Sequence, residues 1–398
     1  MMQALEGLLV LDLSRRYPGA YSAMFLGDFG AEVIKVDPPG TVLPSPKYQG
    51  GEPVDVDTAS EKFAAHFPLD RNKKSITLNL KEERGKEVLR RLAKEADVII
   101  EGFRPGVMDR LGVGYETLKE LNPRLIYCAE SAFGVDGPYA QRPAHDHNLI
   151  GIAGLLSLIG PKGGKPCLPS NFLGDLGGAG LHGAIGVLLA ILARERTGKG
   201  QFVDISYLDT AVSLLAYDSA YYFMTEKVPR RGETYNSGGA PWCNVYECKD
   251  REYIVLSCAE PHLWANLCRL LGREDLVPHQ ESKEAQWAIA ELGKIFATKT
   301  RQEWEDTLQN ENVCFAPVNY LNETFVDPQV LHRGMVMEVE HPKLGTVKQI
   351  GIPIKLSDTP GTIRSLGITL GANTDEILAR FGYTPDEVAS LRKEEVTG

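Results

Sequence analysis

LLVLDLSRRYPGAYSAMFLGDFGAEVIKV, residues 8–36, is the stretch whose reading settles the class of fold. Leu8 to Leu13 is an apolar run of strand length, and Ser14-Arg15-Arg16-Tyr17-Pro18-Gly19 breaks it with turn formers. Ala20 to Phe29 then carries apolar residues at helical spacing, and Glu32 to Val36 resumes a strand. Strand, turn, helix, strand is the repeating unit of a parallel sheet, because parallel neighbours need a crossover that a helix supplies. Ligands of such sheets sit at the carboxyl ends of the strands, so the turn over Ser14 to Gly19 is a candidate contact.

Downstream the alternation continues. Ser75 to Leu80 reads as a strand, Glu82 to Ala96 as a charged amphipathic helix and Val98 to Glu101 as a short strand. A helix over Tyr115 to Leu121 leads into a strand over Asn122 to Ala129. Residues 41–68 hold four prolines and no period, which predicts a long surface loop open to ordering by a ligand or partner. Leu181 to Arg194 predicts a long buried helix, and Arg196-Thr197-Gly198-Lys199-Gly200 turns the chain into a strand over Phe202 to Tyr207. Beyond about residue 225 the character changes. Pro229 to Ala240 is loop-like, Tyr253 to Cys258 a strand and His262 to Leu271 a helix, as in a smaller α+β domain that ends near residue 330. The tail carries a strand-like Met335 to Val339 and a helical Thr374 to Phe381.

The composition excludes several classes. With 43% hydrophobic and 24% charged residues among 398, the chain can bury a sizeable core and is neither disordered nor fibrous. A formal charge of −10 disfavours nucleic acid and anionic membrane as partners, since both reward positive charge. The apolar run around Ile185 to Leu192 is too short to span a bilayer, and the N-terminus has no basic segment followed by an apolar core, so a cytoplasmic location is expected. Seven cysteines lie without a CxxC pair or zinc-like spacing, which predicts reduced structural thiols and no metal site. A nicotinamide dehydrogenase would suit the architecture, but the first turn lacks the GxGxxG that lets a pyrophosphate approach a helix N-terminus.

Six strings in order across the chain resemble CoA-transferase family III of the CaiB/BaiF type, and within it the α-methylacyl-CoA racemases. They are Asp28-Phe29-Gly30-Ala31-Glu32-Val33-Ile34-Lys35-Val36, Asn72-Lys73-Lys74-Ser75, Phe103-Arg104-Pro105-Gly106-Val107, Asn122-Pro123-Arg124-Leu125-Ile126-Tyr127, Gly174-Asp175 and Arg196-Thr197-Gly198-Lys199-Gly200. The resemblance implies an α/β fold: a Rossmann-like large domain over 1–224, a smaller α+β domain over 225–330, and a segment 331–398 returning to the large domain. It further implies two ring-like subunits interlocked as a homodimer, with a heterodimer of homologous subunits as the variant. Coenzyme A enters as part of the acyl-CoA substrate, and no other cofactor is implied.

The resemblance matches three positions to the racemase catalytic set: His145, Asp175 and Glu260. Inverting a carbon beside a thioester carbonyl removes a weakly acidic proton from one face and returns one to the other, so two bases must oppose each other. His145 and Asp175 would be that pair, with Glu260 orienting the imidazole. In the transferases of the same family the aspartate instead attacks the thioester carbonyl and releases CoA, so Asp175 also suits moving CoA between carboxylic acids. An inactive partner subunit of a heteromeric transferase is a third reading, which a retained Asp175 disfavours. The implied CoA contacts are Leu78, Asn79, Leu80, Lys81, Gly102, Phe103, Arg104, Arg110, Ala144, Asp146, His147, Asn148 and Leu149. Departures accompany the match: Asp37-Pro38-Pro39-Gly40 lacks an arginine common in the family, and His147 and Leu149 replace the usual residues after the His-Asp pair. Without the resemblance, Asp175 and Glu260 are equally suited to capping helices, and His145 to a structural hydrogen bond.

Overall fold

The computed structural model describes residues 2–15, 17–41, 62–170, 172–281, 285–367 and 369–398. The chain makes two compact units, one of Met1–Leu149, Asn171–Ser213 and Pro328–Gly398, the other of Ile150–Ser170 and Leu214–Asp327. The assignment of 150–170 to the second unit, and a boundary near 214, differ from the divisions expected from the change of character near 225. Most of the loop expected over 41–68 lies outside the described residues.

The first unit is built on six parallel strands, β1 (Leu9–Leu13), β2 (Glu32–Asp37), β3 (Lys73–Thr77), β4 (Val98–Glu101), β5 (Ile126–Ser131) and β6 (Phe202–Ser206), ordered β3-β2-β1-β4-β5-β6. The order reverses between β1 and β4, which opens a crevice at the carboxyl ends there. Strand side chains alternate between two buried faces. Leu11, Ile34, Ile76 and Ile99 pack with Val88, Leu89 and Leu92 of the helix Glu83–Glu95 and with Ile377, Leu378 and Leu391 near the chain end. Val10, Val33, Val98 and Ile126 face the other way, against Ala23 and Leu26 of the helix Tyr17–Asp28 and Val187 and Ala190 of the helix Leu181–Thr197. Each such fully buried aliphatic side chain contributes about 1.5–3 kcal/mol over exposure, which explains why the run at 8–13 is nearly all apolar.

Asp12 interrupts that run at zero exposure. Burial alone would raise its carboxyl, but Lys35 at 3.6 Å, Lys73 at 2.8 Å and a hydrogen bond from Ser14 carry it below its ordinary value. A second buried pair joins Asp28 to Arg71, whose Nε and Nη2 donate to the two carboxylate oxygens at 2.9 and 2.6 Å. The chain end is tied to β3: Gly398 N donates to Thr77 Oγ1 at 2.8 Å, and Asn79 N donates to Val396 O at 2.8 Å.

The helix Leu181–Thr197 corrects one expectation. It is buried on one side only: Gly183, Ala184, Val187, Ala190 and Arg194 are covered, while Ile185, Leu189 and Leu192 are 50%, 61% and 61% exposed. Together with the preceding turn it forms a run, Leu173–Thr197, long and apolar enough to cross a membrane by length and composition. Its small residues seat it on the sheet, so the apolarity of its outer face is the part that the fold of this unit leaves unexplained.

The second unit has an antiparallel sheet of β7 (Cys243–Glu247), β8 (Tyr253–Ser257) and β9 (Phe315–Pro317). The helices Pro261–Leu270 and Ala285–Phe296 bury Trp264, Leu267, Leu292 and Phe296 against it. Trp264 is fully buried and donates its indole N–H to Leu276 O and Val277 O. All seven cysteines are unpaired thiols.

Candidate active site

Asp175 stands in the first turn of a wide, π-type helix, Leu173–Gly180, whose sequence LGDLGGAG has four glycines. A helix of this kind closes i→i+5 rings and is concentrated at functional sites, where it re-aims a side chain. Its entry is held from outside. Asp146, 2% exposed, opens the helix Asp146–Ala153, and its Oδ1 accepts from Gly174 N at 2.6 Å and Asp175 N at 2.8 Å. His145 immediately precedes it: its carbonyl accepts from Asn148 N and Leu149 N, and its own N–H donates to Asn148 Oδ1 at 3.2 Å. The fold therefore brings the His145 and Asp175 segments together through one buried carboxylate. Among the expected CoA contacts, Asp146 and Asn148 serve this local architecture, and Leu149 is fully buried core. His147 is half-buried, with Nε2 3.9 Å from Asp146 Oδ2, and Ala144 is half-buried beside it.

The entrance to this helix is shaped by Phe172, which takes a left-handed φ of 48° and meets Tyr17 edge-on at 5.0 Å. Gly178 lies against Thr210, where a Cβ would come within 2.9 Å of the hydroxyl. His182 donates its Nδ1–H to Gly178 O at 2.7 Å, the structural use expected of a histidine on a helix.

A cleft of about 260 Å³ opens at the carboxyl ends of β1 to β4, around the point of strand reversal. Its apolar lining includes Leu13, Val36, Leu78, Leu80, Phe103 and Leu111, and its polar lining Arg15, Asp37, Asn79 and Lys81. Of the expected CoA contacts, Leu78, Asn79, Leu80, Lys81 and Phe103 meet here; Gly102 adjoins as the half-buried residue after β4, while Arg104 and Arg110 are exposed and outside the lining. The Arg15 guanidinium lies 4.8 Å over the Phe103 ring, a cation on an aromatic face. Behind the cleft, burial pushes the Glu101 carboxyl up to about 7, although its Oε2 accepts from Phe103 N at 2.7 Å. Burial likewise raises Asp37, with Lys35 3.8 Å away opposing it. A second depression, about 300 Å³ at the amino ends of β2 and β3, is lined by Gly30, Glu32, Asn72, Lys74 and Arg364. It lies at the end of the sheet opposite to the one ligands use.

Glu260 belongs to the second unit. It is exposed at the N-cap of the helix Pro261–Leu270; its carbonyl accepts from Leu263 N and Trp264 N, and its side chain makes no capping bond.

The profile of CoA-transferase family III matches residues 5–374. The chain belongs to that family. A protein named acyl-CoA transferase from Fusarium pseudograminearum is 36% identical, covering 98% of this chain and 88% of its own. Human alpha-methylacyl-CoA racemase is 34% identical, covering 99% and 97%. A crystal structure of a CAIB/BAIF family protein from Brucella suis superposes with a TM-score of 0.80 at 29% identity, covering 96% of this chain and all of the other. This family III chain is thus an enzyme related both to racemases and to CoA transferases.

Several residues of the cleft escaped the reading of the sequence: Leu13, Val36, Asp37, Pro38, Val107 and Leu111. The signal was present in part, since the turn after β1 was a candidate and the rule of carboxyl ends extends to the residues closing β2. Arg15 lies within that turn. Which of the turn's residues faces the crevice depends on how the strand twists into it, which no local pattern records.

Proposed function

We propose that this enzyme acts on the thioester end of an acyl-CoA as a 2-methylacyl-CoA racemase or epimerase, with His145 and Asp175 exchanging the α-proton. The observation that carries the reading is the double hydrogen bond to Asp146, which fixes the backbone of Asp175 to the residue after His145. One of the pair takes the α-proton as the C–H electrons move into the thioester carbonyl, forming an enolate; the other, protonated, returns a proton to the opposite face. Each regains its starting state when the direction reverses. Peptide N–H groups of the glycine-rich helix are the donors assigned to the enolate oxygen. Glu260 is the third residue that the family resemblance matches, and the Rossmann-like cleft is proposed to take the CoA nucleotide, its ring on Leu78 and Phe103 and its phosphates toward Arg15 and Lys81.

CoA transfer is the second reading, favoured by the relative named acyl-CoA transferase. There an Asp175 oxygen attacks the thioester carbonyl, the C–S bond breaks, CoA leaves as thiolate and an acyl-aspartyl anhydride remains. A homodimer is proposed from the outer row Leu181, Ile185, Leu188, Leu189 and Leu192, apolar and exposed along one helix. A relative named as the beta subunit of a CoA transferase makes a heteromer the alternative. The seven free thiols suit a reducing, cytoplasmic setting.

The test is incubation with a 2-methylacyl-CoA in deuterated water, following α-deuteration by mass spectrometry. Asp175→Ala and His145→Ala are each expected to slow exchange about 10²- to 10⁴-fold. Absence of exchange, with CoA transfer to an added carboxylate that needs Asp175 and survives loss of His145, would replace this reading by the second.

A further inference from the structure

One buried acid in the first unit has no part in the chemistry above. Glu130, in β5, is 1% exposed; its Oε1 lies 2.8 Å from Ser22 Oγ, and its Oε2 has no hydrogen-bond partner among the described residues. Ser22 Oγ is also 2.8 Å from Gly180 O, the last residue of the π-type helix that carries Asp175, and 3.2 Å from Pro18 O. A serine hydroxyl has a single proton to give. If Glu130 were ionised, Ser22 could satisfy either the carboxylate or the Gly180 carbonyl, and the other oxygen would face it at 2.8 Å with no hydrogen between them. Both contacts are met only when the carboxyl is neutral: Glu130 Oε1–H donates to Ser22 Oγ, and Ser22 Oγ–H donates to Gly180 O.

The pair is tightly enclosed. A Cβ at Gly183 would fall 2.4 Å from both Glu130 Oε1 and Ser22 Oγ, so the helix Leu181–Thr197 presses its bare backbone onto the pair. The titratable groups that face Glu130 are Asp12 from β1, itself paired with Lys35 and Lys73, Glu101 from β4, Cys128 on its own strand, and Tyr207 after β6, whose hydroxyl donates to the Glu130 main-chain oxygen at 3.2 Å. Burial pushes the carboxyl up to about 8, and Asp12 and Glu101 add to the rise against the opposing Ser22 bond.

We propose that Glu130 is a positioning residue whose neutral carboxyl, relayed by Ser22, latches the Gly180 end of the helix that presents Asp175. Asp146 holds the entry of that helix as an acceptor, and Glu130 holds its exit as a donor. Raising the pH strips the donor: Ser22 turns its proton to the carboxylate and releases Gly180. The effect on turnover rests on the reading of Asp175 given above; the latch itself does not.

The test is amide hydrogen exchange of the full-length protein, read by mass spectrometry over residues 173–184 between pH 6 and 9.5 and corrected for intrinsic exchange. In the wild type, protection is expected to fall about tenfold per pH unit above a midpoint near 8. Glu130→Gln, whose amide N–H₂ donates to Ser22 at every pH, should keep protection flat, and Ser22→Ala should show low protection with no step. A step that survives in Glu130→Gln, or in Ser22→Ala should the first variant not fold, overturns the latch. Turnover is read in parallel: an alkaline loss of α-proton exchange or CoA transfer that disappears in Glu130→Gln supports the positioning role, and an exchange step with no loss of turnover overturns it. Absence of both activities rejects the functional reading while the exchange data still judge the latch.

Discussion

Asp146→Ala isolates the contact on which the site depends. The carboxylate is buried, and its Oδ1 accepts two backbone N–H groups, Gly174 at 2.6 Å and Asp175 at 2.8 Å. Truncation leaves both donors in a buried setting without an acceptor. An unsatisfied buried donor costs about 1–3 kcal/mol, so the loss at the helix entry is about 2–4 kcal/mol once partial rehydration is allowed. Amide exchange over 173–180 should then quicken about 30- to 900-fold, because 1.4 kcal/mol is a factor of ten. A displacement of Asp175 by about 1 Å would lower turnover by about 10²-fold. Asp146→Asn keeps an oxygen acceptor and should recover most of the protection and activity, which separates the hydrogen bonds from the charge. Affinity for CoA, proposed to bind in the cleft at the strand ends, should move by less than threefold, measured calorimetrically. Unchanged exchange and turnover in Asp146→Ala would refute the claim that this carboxylate holds the helix.

Phe103→Ala removes both the ring under Arg15 and part of the cleft wall, and is expected to weaken CoA binding by about 1–2 kcal/mol, some five- to thirtyfold by titration calorimetry. Glu101→Gln tests the buried acid behind that wall. Its folded-state value near 7 lies above the ordinary 4.5, so the neutral form is favoured by folding; this stabilisation is complete below pH 4.5 and is lost as the pH rises through 7. Wild type should therefore lose about 3 kcal/mol relative to Glu101→Gln between pH 4.5 and 8, read from denaturant unfolding. Leu189→Glu with Leu192→Glu, two exposed positions of one helix, should convert a dimer to monomers by light scattering while leaving the far-ultraviolet circular dichroism intact; a dimer unaffected by both charges would remove this face from the interface.

The fold was legible where burial is two-sided. Leu9–Leu13 and Val98–Glu101 fall on or within one residue of the sequence reading, because a strand covered on both faces must be continuously apolar and its flanking turns polar. The strand read from Asn122 begins only at Ile126, since Asn122 spends its side chain on Ala93 O, Ala96 O and Arg124 N and so builds a turn. The last helix, Pro385–Lys393, carried a visible start signal that went unread: Thr384 and Glu387 form a reciprocal capping box. Leu181–Thr197 was misjudged for a different reason. Apolar residues all round a helix predict burial by whatever is present, and sequence does not say whether the cover comes from the same chain or another.

The site was legible to a different depth at each residue, and the differences are physical. Asp175 follows a glycine and precedes a helix, so its position could be read, but the wide turn could not: no propensity distinguishes LGDLGGAG as a π-type helix from an ordinary one, and its two ends are bonded by Asp146 and Ser22. Both lie far away in sequence, and Ser22 is an unremarkable small residue on a buried helix. Glu130 gave still less, a charged residue in an otherwise apolar strand that a register count would place against the core and therefore treat as an error. Its neutrality turns the apparent error into a donor. A buried carboxyl is thus read from its neighbours rather than its own identity: the two lysines around Asp12 call for an anion, and the single proton on Ser22 calls for an acid.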